Sequence, residues 1–289
     1  MKPMREMLPI SEMASAVPLF RGRIGGALAR AFKKLTLMSK VEKLVDDHSD
    51  VEGWKFSQDV LEELGVDYEL GGLPLSELPK GAFITIHNHP YGGVDGCALV
   101  NIFGRVDPSY KIMINKLLSR IWPLENNFIT VVPTGEKREA AKAESVNGVK
   151  ESILQIRSGH PLGIFPSGAV SDLDPKEKCV RDREWQEAAI KLIKKLGVPI
   201  VPVRFFDGNS RFYYRLGLID WKVRLLRLPS EIFNKNGKRM RIGIGQVITP
   251  EKQAEFSDLK EFGAYLRSSV YDMPEPENYI RRKELPERI

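Results

Sequence analysis

The stretch Ile84-Thr85-Ile86-His87-Asn88-His89-Pro90-Tyr91-Gly92-Gly93-Val94-Asp95-Gly96 decides the fold. Ala82 to Ile86 is a short apolar run, which reads as a buried strand. The chain then turns at Pro90 and Gly92-Gly93, and Gly96 to Phe103 reads as a helix. A strand passing through a tight turn into a helix is the unit of an α/β layered domain. The turn sets His89 just past the strand end, where such sheets keep their ligand crevices. Rigid Pro90 and permissive Gly92-Gly93 then bring Asp95 back toward it. A base of near-neutral pKa needs a partner that fixes its tautomer and stabilises the imidazolium. His89 and Asp95 offer both roles within one loop, although loops often contain such a pair by chance.

The alternation continues on the C-terminal side. Lys111 to Ile114, Phe128 to Val132, Leu162 to Phe165 and Ile200 to Phe205 read as strands. Ala140 to Arg157 and Glu184 to Leu196 read as helices, with Gly159 and Gly197 placed to stop them. Two of these strands run into informative turns. In Leu162-Gly163-Ile164-Phe165-Pro166-Ser167-Gly168 a strand enters a Pro/Gly turn whose N–H groups suit a phosphate or an oxyanion. In Val198-Pro199-Ile200-Val201-Pro202-Val203 two prolines flank an apolar strand, so Pro202 predicts an edge, a bulge or a cleft wall. The chain has no internal repeat, and from Met273 onward it reads as an extended or loosely packed tail rich in Pro, Glu and Arg.

On the N-terminal side lie an acidic stretch, Glu42 to Asp59, a short helix over Val60 to Leu64 ended by Gly65, and a loop marked by Gly71, Gly72, Pro74 and Pro79. The net charge of +6 has a local origin. Between Leu19 and Lys40 stand Arg21, Arg23, Arg30, Lys33, Lys34 and Lys40 with no acid. The same segment spaces Phe20, Ile24, Ala27, Leu28, Ala31, Phe32 and Leu35 at three- and four-residue steps, one face of a helix. A basic amphipathic helix suits an anionic membrane surface; it suits equally a helix whose apolar stripe packs on the core. Elsewhere the bases are interleaved with acids and no aromatic-basic module appears, which argues against nucleic acid. Two cysteines in 289 residues exclude a disulfide framework and fit a reducing compartment. No run approaches the roughly 20 apolar residues of a membrane-spanning helix, and Met1 to Pro18 is no signal peptide. At this level a metal-dependent hydrolase using His87, His89 and Asp95, or a non-catalytic membrane-binding protein, remains open.

Taken together and in order, the three stretches resemble the glycerolipid acyltransferase superfamily, whose blocks are Asn-His followed by Asp, Phe-Pro-x-Gly, and Val-Pro-Ile-Val-Pro-Val. The resemblance runs from about Phe56 to Ile248. It is nearest to the hemolysin-like or lysophospholipid acyltransferase branch, whose Asn-His-Pro-x-Gly-Gly-x-Asp-Gly block Asn88 to Gly96 matches at every fixed position. Asp182-Arg183-Glu184-Trp185 and Gly208-Asn209-Ser210 look like that branch too.

The resemblance implies a layered mixed α/β sheet flanked by helices, like that of glycerol-3-phosphate acyltransferase, behind an N-terminal basic amphipathic helix. With the charge pattern and the tail composition read above, it gives a membrane-associating segment over 1–55, an acyltransferase domain over 56–272 and a tail over 273–289 as the expected organisation. His89 is then the general base on an acceptor hydroxyl, Asp95 orients it, and the donor is acyl-CoA or acyl-carrier protein. No other cofactor, no metal and no acyl-enzyme are implied, so Cys97 is not a nucleophile. Asn88, Pro166, Ser167 and Gly168 become acceptor, phosphate or oxyanion residues, with Lys137 and Arg138 as phosphate candidates and Asn115 and Lys116 in the second block's region. Two departures stand out. Five residues, Pro90 to Val94, separate His from Asp where the commonest motif has four; and Phe165-Pro166-Ser167-Gly168-Ala169-Val170 lacks the Glu and Arg of Phe-Pro-Glu-Gly-Thr-Arg. The second points away from lysophosphatidic acid and toward a lysophospholipid or lyso-aminolipid acceptor. The expected location is cytoplasmic, peripheral on the inner face of a membrane with anionic lipids.

Overall fold

A computed structural model describes residues 6–115, 119–131 and 139–289. Its centre is an eight-stranded mixed sheet. In chain order the strands are β1 (Tyr68–Gly72), β2 (Ile84–His87), β3 (Lys111–Asn115), β4 (Phe128–Val131) and β5 (Leu162–Ile164). A two-stranded ribbon follows, β6 (Asp172–Asp174) with β7 (Cys179–Arg181), then β8 (Ile200–Phe205), β9 (Met240–Ile244) and β10 (Tyr279–Arg281). The sheet order is β10-β1-β9-β8-β2-β5-β3-β4. From β8 to β4 all neighbours are parallel, whereas β9 runs antiparallel to β8 and carries β1 parallel to itself.

Helices cover both faces, as a largely parallel sheet requires. α3 (Met38–Asp47), α4 (Gly53–Glu63) and α5 (Gly93–Val106) pack Val41, Leu61 and Leu99 into one core with Tyr68, Ile112 and Val203. On the other face α6 (Glu139–Arg157), α7 (Glu187–Leu196) and α11 (Leu259–Tyr271), which follows the short α10 (Pro250–Ala254), pack Ile156, Ile193 and Leu266 into one core with Ile84, Ile86 and Ile164. The two-residue period of β2 makes this division: Ile84 and Ile86 take one core, while Thr85 and His87 point the other way.

The strands expected from apolar runs are all present. Pro202 stands in an interior strand, at a bulge. Ile200 bridges Ile248, whereas Val203 pairs with Ile244, so the β8–β9 register slips by one residue at the proline that lacks an N–H. The tail differs from expectation. β10 adds to the sheet edge beside β1, and Arg105 donates to the carbonyls of Leu285 and Pro286. α2 (Gly22–Leu35) packs on α3 and α1 (Ile10–Ala16) packs on α2, while Met7, Val41, Leu44 and Val45 belong to the main core. On α2 the buried face is Gly25, Ala29 and Lys33, leaving Ile24, Leu28 and Leu35 exposed. Lys33 is therefore no outward base: its Nζ lies 2.7 Å from Glu42, and both side chains are buried. Among the described residues no helix is long and apolar enough to cross a membrane.

Candidate active site

His89 stands two residues past the carboxyl end of β2, at the centre of the parallel strands. Its place is fixed by Asn88. The Asn88 amide donates to the Phe205 carbonyl (2.9 Å) and accepts from the Phe205 N–H (2.8 Å), extending the β2–β8 ladder by one mimic of a backbone pair. Asn88 thereby aims the next residue, and its amide is engaged on both sides.

The chain turns through Gly92, whose φ of +89° suits glycine, and enters α5 with Asp95 in its first turn. The Asp95 carboxylate accepts from Tyr91 N–H and Gly92 N–H at 3.1 Å and from His89 Nδ1 at 2.6 Å. It is fully buried, and burial pushes its carboxyl above the ordinary value while the His89 bond and these N–H groups pull it down. With Nδ1–H given to Asp95, Nε2 is the ring nitrogen left to take a proton.

A second carboxylate holds the main chain of His89. Asp182 Oδ1 accepts from the His89 N–H (3.1 Å) and from Ser171 Oγ (2.5 Å), and Oδ2 from Trp185 Nε1 (3.2 Å). Ser171 N–H in turn donates to the His89 carbonyl (2.8 Å). Burial raises the Asp182 carboxyl as well. The sequence motif around Asp182 was visible, but its role across 93 residues was not.

His87 and His89 flank the Phe165 ring, with centroids 4.6 and 4.1 Å from it. His87 is buried and bonds Thr85 Oγ1 through Nε2 (2.8 Å), and desolvation holds its pKa well below the ordinary value. Its Nε2 is engaged by Thr85, and among the described residues no group of three or more His, Cys, Asp or Glu could hold a metal ion. The Phe165–Gly168 turn closes by Gly168 N–H to the Phe165 carbonyl (3.0 Å). The Ser167 hydroxyl is spent on the Ala169 carbonyl (2.9 Å), and Gln186 clamps the turn through the Pro166 and Ser167 carbonyls. Lys116, Lys137 and Arg138 lie outside the described residues; Asn115 lines the cavity described next.

His89, Phe165, Pro166 and Gly168 open onto a cavity of about 510 Å³. Its walls are otherwise mostly apolar. One part lies beneath α3 and α4 (Val41, Val45, Val60), another beside β3, β4 and α7 (Met113, Val131, Ala189). A half-buried base with a buried orienting carboxylate at the mouth of an apolar cavity suits proton removal from a hydroxyl on an apolar molecule.

A family model described as "Acyltransferase" matches residues 13–276. The chain belongs to this acyltransferase family. Two curated relatives carry the name lyso-glycine lipid O-acyltransferase. The one from Bacteroides thetaiotaomicron is 26% identical over 83% of this chain and 88% of its own length. The one from Phocaeicola vulgatus is 24% identical over 83% and 85%. Among solved structures, the 1-acyl-sn-glycerophosphate acyltransferase PlsC from Thermotoga maritima aligns at a TM-score of 0.46 and 15% identity, over 75% of this chain and 79% of that one. Membership makes the protein an acyltransferase, and its site has to be read for what it moves and onto what.

Proposed function

We propose that the enzyme moves a fatty acyl group from acyl-CoA or acyl-carrier protein onto a hydroxyl of a lysolipid, with a lyso-aminolipid as the leading acceptor. The observation that carries this reading is the 2.6 Å His89–Asp95 pair on the wall of an aliphatic cavity. The names of the two curated relatives support the acceptor class. So does the Phe165–Val170 segment, which carries no charged side chain to receive a phosphomonoester.

His89 Nε2 takes the hydroxyl proton as the oxygen attacks the thioester carbonyl, and Asp95 stabilises the imidazolium. The tetrahedral oxyanion is met by N–H groups of the first turn of α5, where Gly93 and Val94 line the cavity. Collapse breaks the carbon–sulfur bond, and His89 returns the proton to the leaving thiolate. Cys97 takes no part: burial pushes its thiol up to about 12, and its sulfur bonds the Ser57 carbonyl. The chain's own side chains suffice for this chemistry, with no metal or further cofactor invoked. Exposed Arg21, Arg23, Arg30 and Lys34, with Ile24, Leu28 and Leu35, would seat α2 on an anionic membrane, on the inner face where such donors are made.

The test is transfer of labelled acyl groups from each donor to a panel of lysolipids that includes a lyso-aminolipid. His89→Ala and Asp95→Asn should each lose on the order of 10³-fold in kcat. Full activity in either variant sinks the mechanism, and wild-type enzyme that acylates no acceptor sinks the function.

A further inference from the structure

α8 (Arg211–Ile219) and α9 (Trp221–Phe233) form a helical hairpin that turns at Asp220. Its inner face is well used. Tyr213 and Tyr214 are buried, Arg224 reaches the carbonyls of Val170 and Ser171, and Glu231 holds Ser210. Its outer face is not what water selects. Ile219 is 81% exposed and Trp221 52%, with Leu218 and Val223 exposed beside them in sequence and Phe212 and Leu226 exposed further along the two helices. Large apolar side chains exposed together along one hairpin and at its turn mark an interaction surface. The described exposed charges along the hairpin are mainly basic, with Arg211, Arg215 and Arg227 exposed and Asp220 the one exposed acid among its described residues. Aromatic and aliphatic tip, basic flank: this is the pattern of an element that lies in an anionic lipid interface. The hairpin also borders the catalytic cavity. Leu225 is both 40% exposed and part of the cavity wall, where Leu228, Pro229 and Ile232 continue it. The same helix thus connects the outer apolar face to the aliphatic interior.

We infer that the α8–α9 hairpin inserts its tip into an anionic lipid bilayer and gives acyl chains a path past Leu225 into the cavity. The occupant is a bilayer and not a second copy, because a closed self-interface would set the exposed arginines against one another. The docking stands without the acyl-transfer reading; only the path past Leu225 rests on it.

The test uses the full chain and vesicles of phosphatidylglycerol and phosphatidylcholine, with no turnover required. Ile219→Glu changes an exposed side chain that does not line the cavity. It should raise the lipid concentration for half-maximal binding at least tenfold while leaving the thermal midpoint unchanged. Lipids brominated on their acyl chains should quench the wild-type fluorescence, and Trp221→Phe should lose most of that quenching. Unchanged affinity in Ile219→Glu overturns the proposal, as does equal quenching in Trp221→Phe. A wild-type dimer that Ile219→Glu splits without altering vesicle affinity assigns the tip to a second copy and also overturns it.

Discussion

The ring and the main chain of His89 are held by different carboxylates, Asp95 at Nδ1 and Asp182 at the backbone N–H, and the two fail differently when removed. Asp182 touches no reacting atom in the proposed mechanism, so its loss should act through position. Asp182→Ala leaves the His89 N–H, Ser171 hydroxyl and Trp185 indole without their acceptor, at a cost of about 3 kcal/mol in urea unfolding. The same variant should lower kcat roughly tenfold with little change in KM, a split expected when a base is misplaced and binding is not. Asp182→Asn, which keeps one accepting oxygen, should recover part of both. A third buried group near the loop titrates in reach of experiment. Lys235 Nζ lies 5.2 Å from the Tyr91 ring centroid and 3.4 Å from Glu231, and burial lowers its pKa to about 8. In the folded protein it sheds its proton near pH 8, whereas the unfolded lysine keeps it to about 10.5. The cost of burying the cation is therefore complete below pH 8 and is relieved as pH rises through that window. Stability of the wild type relative to Lys235→Met should rise between pH 8 and 10.5, by at most about 3 kcal/mol. A flat difference in paired unfolding curves would assign Lys235 an ordinary pKa.

The central strands depend on one small residue for the support behind His87. Gly163 in β5 lets the Tyr110 hydroxyl come within hydrogen-bond reach of Thr85 (2.8 Å), which also meets His87. A Cβ at Gly163 would stand 2.2 Å from that hydroxyl and 2.5 Å from Ile112. Gly163→Ala should cost about 1–3 kcal/mol, read as a fall of several degrees in the thermal midpoint. These inner elements were legible in the sequence because each is a short apolar run between turn residues, so that local pattern and burial agree. The His89 loop and the Phe165–Gly168 turn were legible for the same reason, since each lies just beyond such a run. β1 and β9 were not. Tyr68-Glu69-Leu70-Gly71-Gly72 and Met240-Arg241-Ile242-Gly243-Ile244 carry glycines and charges, and close approach explains them: a Cβ on Gly243 would meet Phe206 and Met273 within 3 Å. The outward turn of α2 also escaped the sequence. Periodicity shows which residues share a face but not which face is covered, and here a buried Lys33–Glu42 pair helps decide it. α9 was hidden by Pro229, which reads as a breaker yet lies inside the helix.

At the scale of the whole molecule, the cavity is the feature no linear pattern could show, because its walls come from α3, α4, β3, β4, α7 and α9. Both of its parts are apolar, and its size falls within the range of about 300–1,000 Å³ usual for small-molecule sites. An acyl chain in such a space is measured by where the walls end, and each methylene that fits or clashes shifts selectivity by about 1–3 kcal/mol. The part beneath α3 and α4 is the better ruler, because Val41, Val45 and Val60 are small, buried and distant in sequence from the His89 loop. Val45→Phe would shorten that part without touching His89, Asp95 or the Phe165 turn. The preferred acyl chain should then fall by two or more carbons, with kcat/KM for long chains down at least tenfold and for medium chains nearly unchanged. Acyl-chain profiles of the two enzymes decide it. An equal loss at every length would mean that Val45 supports the fold alone, and an unchanged profile would place the acyl chain in the part beside β3, β4 and α7.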